Sequence, residues 1–260
     1  KRAWGRRGDR KTWRGRTAGV GMGEFAENVG RLELITYVGI LLLILVLLCK
    51  QPQMSGMILV CSGAAAVLFD SGIRLYWFVG GGAAVGAALL FLITQTEYMT
   101  ARMQSWLNPG SDLRGDGYQL WQSQIAIGSG GLLGTGLGNS RQKYMFLPEE
   151  HNDFVFAIVC EELGLIGACL IIILFALLII RGYWLALHAR DRFGSLMIVG
   201  VNTQLAAQVI LNIGVVTGAL PTTGISLPFF SHGGPPLVVP LACVALNLCV
   251  SRPVGAPTEQ

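Results

Sequence analysis

Charge is what this sequence has least of. Only 13% of its 260 residues are Asp, Glu, Lys or Arg, against about 25% in an ordinary globular domain, and between Phe193 and Ser251 there is none at all. A soluble fold of this length needs charge on its exposed helix faces, so soluble classes are excluded and a polytopic membrane protein is implied. Cysteine motifs are missing too. Cys49, Cys61, Cys160, Cys169, Cys243 and Cys249 lie in or beside apolar runs, with no CxxC or Cys/His spacing, and read as small core residues rather than ligands or bridges. No secretory signal peptide is apparent, because the first apolar run begins only near Leu34 without a cleavage-type ending. The glycines match neither GxGxxG nor GxxxxGK[ST], which leaves tight turns and close helix contact as their use. The net charge of +4 does not signal nucleic acid. Nine of the 19 basic residues precede Leu32 and the rest flank apolar runs, where they orient a chain in the bilayer.

What is present is apolar, at 52% hydrophobic residues and a mean hydropathy of +0.56. The expected fold is all-α with about six transmembrane helices, near 34–49, 54–69, 75–96, 154–180 (charge-free over 163–180), 193–216 and 235–250. Pro52 is placed to start the second helix of a tight hairpin. Residues 1–30 form a basic segment expected to be disordered, 31–252 the transmembrane domain and 253–260 a tail. Six spans put both termini on one side, which holds fourteen basic residues against five on the other, and the positive-inside rule makes that side cytoplasmic. The long connection over 97–153 is then extracytoplasmic. Its aromatic residues, Trp106, Tyr118, Trp121, Tyr144 and Phe146, and its glycines at 128, 130, 131, 134, 136 and 138 suggest a folded, partly amphipathic lid rather than disorder.

The chemistry gathers in few places. Leu147-Pro148-Glu149-Glu150-His151-Asn152-Asp153-Phe154 precedes an apolar run that contains Glu161-Glu162. Glu149 and Glu150 suit the first turn of a helix, where the dipole favours acids. Asp153 is harder to assign that way, because it abuts Phe154–Cys160, where an ionised carboxylate needs water, a cation or a substrate proton. Glu161 and Glu162 admit a structural role, in a pair with arginine or a cap on the Gly164–Gly167 contact, and a functional one equally. Arg102, Arg141 and Lys143 flank the acids. They read as snorkelling anchors or as a grip on a lipid-linked phosphate. Between Leu220 and Gly234, Pro221, Pro228 and three glycines interrupt a charge-free stretch that holds Ser231 and His232. A broken segment of this kind is tolerated only where it lines a protein cavity. His232 reads equally as a packing residue or as an acid or base.

These segments resemble the SEDS family of bacterial membrane proteins, the group of FtsW, RodA and SpoVE. The resemblance rests on Gly117-Tyr118-Gln119, Gln122-Ser123, Ala126-Ile127-Gly128-Ser129-Gly130-Gly131, Gly134-Thr135-Gly136-Leu137-Gly138-Asn139-Ser140, Gln142-Lys143, Leu147-Pro148-Glu149, Asp153-Phe154-Val155-Phe156-Ala157, Glu161-Glu162-Leu163-Gly164, Asn212-Ile213, Leu220-Pro221, Gly224, Leu227-Pro228 and Ser231-His232-Gly233-Gly234. It covers about 51–252, and Gln142–Phe146 with Pro221-Thr222-Thr223-Gly224-Ile225 look more like the division and sporulation branch. Asn152 departs from a commoner threonine, and His232 with Pro235-Pro236 from a tyrosine and two serines. The family has ten spans and a Gln-Pro-Ser-Glu segment without counterpart here, so a truncated gene, a fragment or a misplaced start is expected.

The resemblance implies polymerisation of lipid II into glycan strands in the bacterial plasma membrane, with Asp153 as general base on the acceptor's 4-hydroxyl and release of undecaprenyl pyrophosphate. Arg102, Arg141, Lys143, Glu161, Glu162, Ser231 and His232 are the expected substrate-binding residues. An assisting divalent cation, Mg or Mn, has no readable ligand set, and no organic cofactor is implied. The implied partners are a class B penicillin-binding protein, other division proteins, lipid II and membrane lipid, with no nucleic acid. A lipid II flippase and an inactive fragment or scaffold are the alternatives.

Overall fold

The computed structural model describes residues 31–50, 54–72, 80–82, 86, 97–108, 116–142, 152–189 and 191–251. Its elements are α1 (Arg31–Lys50), α2 (Met54–Asp70), α3 (Glu97–Leu107), α4 (Asp116–Gly130), α5 (Val155–Leu187), α6 (Arg192–Val216) and α7 (Gly234–Ser251). The described residues contain no strand, and α5, α6 and α7 are each long and apolar enough to cross a membrane. Shorter apolar helices cover Thr36–Leu48 and Ser55–Asp70. Of the third expected span, residues 80–82 and 86 are helical and the remainder lies outside the described residues. The long connection supplies α3 and α4.

Helix α6 is the hub, packed against α2, α4, α5 and α7. Lipid supplies no hydrophobic drive between helices, so their association rests on close packing and hydrogen bonds, and α6 carries both. Asn202, fully buried, donates to Ile179 O of α5 at 2.9 Å, and the hydroxyls of Tyr183 and Thr203 meet at 2.8 Å. A Cβ on Gly182 would overlap the Asn202 amide, 2.6 Å from its Cγ, so this crossing needs a glycine. At the start of α6, Asp191 caps the helix by accepting from Gly194 N at 2.8 Å. Arg192 beside it donates to Asp70 O, at the end of α2.

Helix α5 departs from the continuous span expected over 154–180. It runs for 33 residues but is broken at Gly164, whose φ of 65° and ψ of −169° are open essentially to glycine alone. Phe156, Ala157, Ile158, Cys160 and Glu161 before the break are buried. The large exposed apolar side chains begin just beyond it, with Leu165, Ile166 and Leu170, and continue to Leu187. Residues 165–187 are about 35 Å long at 1.5 Å per residue, enough to cross a ~30 Å hydrocarbon core by themselves. The exposed apolar face of α5 therefore starts just after Gly164, and the 155–163 piece is packed in the protein's interior. That interior is a cluster built from α4, α5, α6 and the 217–233 segment, including Ala126, Phe154, Phe156, Phe175, Val216 and Leu227.

Candidate functional site

Asp153 sits in a turn over residues 152–154, directly before α5, where the helix dipole favours a carboxylate. Its placement is set by an asparagine from another helix. Asn212 of α6, buried to 1% exposure, donates through Nδ2 both to Asp153 O at 2.8 Å and to Ile225 O at 2.6 Å. Ser231 Oγ closes the same junction, donating to Asn152 O at 2.6 Å and accepting from Leu227 N at 2.7 Å. The side chain of Asp153 lies against the backbone of Gly224, where a Cβ would stand 3.4 Å from Oδ2.

The segment from 217 to 233 is the expected broken one, without helix over its length, and several of its carbonyls find side-chain donors on α3 and α6. Arg102 Nη1 of α3 donates to Thr222 O at 2.9 Å, Trp106 Nε1 to Gly218 O at 2.9 Å and Gln208 Nε2 of α6 to Ser226 O at 3.1 Å. Irregular backbone inside a membrane protein survives only when satisfied in this way. Phe229, at φ 66°, stacks on Phe175 with ring centroids 6.4 Å apart. Next to it opens a cavity of about 620 Å³, lined by Val155, Phe230, Ser231, His232 and Leu237 among others.

A second junction lies at the break in α5. In a continuous helix Glu161 O and Glu162 O would accept from Leu165 N and Ile166 N. Here they accept instead from Thr135 N at 2.9 Å and Gly136 N at 3.0 Å, while Leu165 N and Ile166 N donate to Gly131 O at 2.9 Å and Leu132 O at 3.3 Å. The loop after α4 is thus stitched into the gap. Two glycines make the approach possible, since a Cβ on Gly134 or on Gly164 would run into the other segment's backbone. The Glu161 carboxylate, 2% exposed, then holds the end of the loop: it accepts from Ser140 Oγ in a short bond, from Arg141 N at 3.0 Å and from Gln142 N at 3.4 Å.

Asp153, Arg102, Ser231 and His232 are therefore gathered on the 217–233 segment or beside it, whereas Arg141 and Glu161 meet at the break. Glu161, expected among the substrate-binding residues, is buried, and its carboxylate is engaged by the loop. Glu162 has Oε1 buried without a hydrogen-bond partner. Lys143, Glu149, Glu150 and His151 lie outside the described residues. Among the described residues no three His, Cys, Asp or Glu side chains group as metal ligands. Cys160, Cys169, Cys243 and Cys249 form no disulfide. Sequence reasoning did not assign a role to Asn212 or Ser140; for Asn212 the signal was an amide in a charge-free span.

The FtsW/RodA/SpoVE family model, described as "Cell cycle protein", matches residues 25–254. The chain belongs to that family. Similar to it are stage V sporulation protein E of Bacillus subtilis, 44% identical over 80% of this chain and 57% of its own length, and the probable peptidoglycan glycosyltransferase FtsW of Geobacter metallireducens, 41% identical over 85% and 59%. The fold is similar to a chain of a solved peptidoglycan synthase complex that coordinates polymerization and crosslinking, with a TM-score of 0.68, 28% identity and coverage of 86% of this chain and 62% of that one. It is also similar to the rod shape determining protein RodA of Thermus thermophilus, with a TM-score of 0.56, 27% identity and coverage of 85% and 57%. The chain thus spans less than two thirds of each of these FtsW/RodA/SpoVE relatives.

Proposed function

We propose that the chain carries the Asp153 site of a peptidoglycan glycosyltransferase polymerising lipid II at the outer face of the bacterial plasma membrane, with its termini in the cytoplasm. The observation that carries this reading is the double tether of the Asp153 turn, through Asn212 and Ser231, to a broken segment bordering a 620 Å³ cavity. Tethering the main chain fixes where the Asp153 carboxylate emerges, and pre-set geometry is what general-base catalysis requires.

In this mechanism Asp153 takes the proton of the acceptor's 4-hydroxyl, and the oxygen attacks the anomeric carbon of the lipid-linked donor. The bond from that carbon to the phosphate oxygen breaks, and undecaprenyl pyrophosphate leaves with the electron pair. Arg102, Arg141 and Lys143 supply positive charge for the pyrophosphates, and Ser231 and His232 shape the cavity wall. A penicillin-binding protein acting on the same strands is the partner this reading favours, supported by the similarity to a chain of a synthase complex.

The test is glycan-strand formation from lipid II after reconstitution with the partner. Asp153→Ala is expected to lower the rate by about 10²-fold or more with the protein still in the membrane, and unchanged polymer yield would refute the reading. Lipid II translocation that survives Asp153→Ala, without polymer, would favour a transporter instead.

A further inference from the structure

The last turns of α5 carry a stack of side chains with no part in the site above. Leu177, Arg181, Trp184 and His188 recur at intervals of four, three and four, which places them on one face of the helix, and all four are exposed. Gly182 and Ala186 between them are buried, with Gly182 against Asn202 of α6, so the stripe faces away from that crossing.

The stack is built from the helix end inward. His188 Nδ1 donates to Trp184 O at 2.8 Å, one of the carbonyls that a helix end leaves open. Its ring lies on the Trp184 indole, with centroids 4.2 Å apart and planes at 27°. The Arg181 guanidinium carbon stands 4.2 Å from the centroid of the same indole, a cation–π contact. His188 thus steadies the indole, and the indole steadies the cation.

The charge of Arg181 is not otherwise matched. Among the described residues it has no acidic partner and no hydrogen bond, so its N–H donors have nothing to receive them. Asp191, the next acid along the chain, caps α6. Large apolar side chains are exposed on both sides of Arg181, Ile180 at 64% and Leu187 at 82%, so the cation belongs to the apolar surface of the span rather than to a polar end beyond it. At such a surface the anion that meets an arginine is a lipid phosphate, and tryptophan is itself favoured at headgroup level.

We infer that Arg181, held by Trp184 and His188, binds the phosphate of an anionic phospholipid at this end of α5. The planar guanidinium offers parallel N–H bonds to phosphate oxygens, while Leu177 and Ile180 meet the acyl chains. An anionic headgroup is preferred to a zwitterionic one, which brings its own cation. The site lies apart from the glycosyltransferase reading and does not rest on it.

The experiment follows Trp184 itself. The full chain in mixed micelles is titrated with phosphatidylglycerol or phosphatidylcholine brominated on the acyl chains, which quenches an indole on contact; the quenching lost on adding Trp184→Phe to each background is assigned to this site. Phosphatidylglycerol is expected to reach half-quenching at a roughly tenfold lower mole fraction than phosphatidylcholine, the worth of one charge-assisted contact. Arg181→Gln removes that preference and leaves quenching by phosphatidylcholine in place. Arg181→Lys keeps part of the preference, because the charge stays and the planar fork goes, and excess inorganic phosphate does not compete. A second measurement needs no quencher: phosphatidylglycerol raises the thermal unfolding midpoint of the parent more than that of Arg181→Gln, as a ligand of the folded state does. Equal quenching of the parent by the two lipids, a preference that survives Arg181→Gln, or equal midpoint shifts overturns the inference. Displacement by inorganic phosphate assigns the site to a free anion, and quenching by neither lipid shows that a protein surface covers Trp184; each of these also overturns it.

Discussion

Replacing Gly164 with alanine tests the architecture most directly, because it strikes one backbone position on which four inter-segment hydrogen bonds depend. The residue sits at φ 65° and ψ −169°, a region that costs a non-glycine residue about 1–3 kcal/mol. The added Cβ would also press on the stitched loop, 2.6 Å from Leu132 O and closer still to Gly134 N. The loop must then withdraw, and the bonds from Thr135 N, Gly136 N, Leu165 N and Ile166 N weaken together; at a net ~0.5–1.5 kcal/mol each, relief of the clash alone is worth several kcal/mol. The alternative open to the variant is closure of α5 into a continuous helix, which regains the two intrahelical bonds and leaves the loop's own groups and the Glu161 carboxylate without their partners. Either way the expected loss is at least about 3 kcal/mol. The assay is reversible unfolding in mixed micelles, with Gly128→Ala as the matched control. Gly128 lies inside α4 with open space around its Cα, so alanine there should be neutral or stabilise by up to about 1 kcal/mol. If Gly164→Ala unfolds within about 0.5 kcal/mol of the parent, the stitched break is not a structural requirement and the reasoning fails.

Two further substitutions address the joints around the site. Asn212→Ala removes the donor from two buried carbonyls, those of Asp153 and Ile225, at about 1–3 kcal/mol for each group left unmatched; Asn212→Asp, which points an oxygen at both, should be at least as damaging, and equal stability of either variant with the parent in the same unfolding assay would show that the tether carries no weight. Gly182→Ala should cost about 1–3 kcal/mol by overpacking against Asn202, and Asn202→Ala in the same chain should recover part of it, giving losses that do not add; strict additivity in thermal unfolding would contradict direct contact.

The parts of the fold legible in the sequence are those whose cause is local. Charge-free length gives α6 and α7. Prolines and glycines between Leu220 and Gly234 give the broken segment, and an acid beside an apolar run singles out Asp153. The break at Gly164 is different in kind. Leu163 and Leu165 around it are ordinary membrane-helix residues, and no local pattern shows that Glu161 O finds its donor at Thr135, 26 positions earlier. That partnership is a long-range backbone register, and only the glycines at 131, 134 and 136 hinted at it by allowing close approach. Glu161 was ambiguous for the same reason, since a carboxylate next to a helix contact looks alike whether it meets a substrate or a turn. Asn212 shows a third limit: a single amide in an apolar span announces a hydrogen bond without naming which two carbonyls will share it.

The order in which the stitched pieces occur along the chain has a consequence for biogenesis. An interrupted helix that enters a bilayer alone would expose the carbonyls of Glu161 and Glu162 and the amides of Leu165 and Ile166, each at several kcal/mol in hydrocarbon. The residues that satisfy them, 131–136, lie on the N-terminal side of α5. At about 5–20 residues per second they leave the ribosome a few seconds before the break does, so the partner is synthesised before the gap it fills. A rearranged chain with α5 ahead of that loop could reach the same final contacts, but would first have to hold an open helix in the membrane.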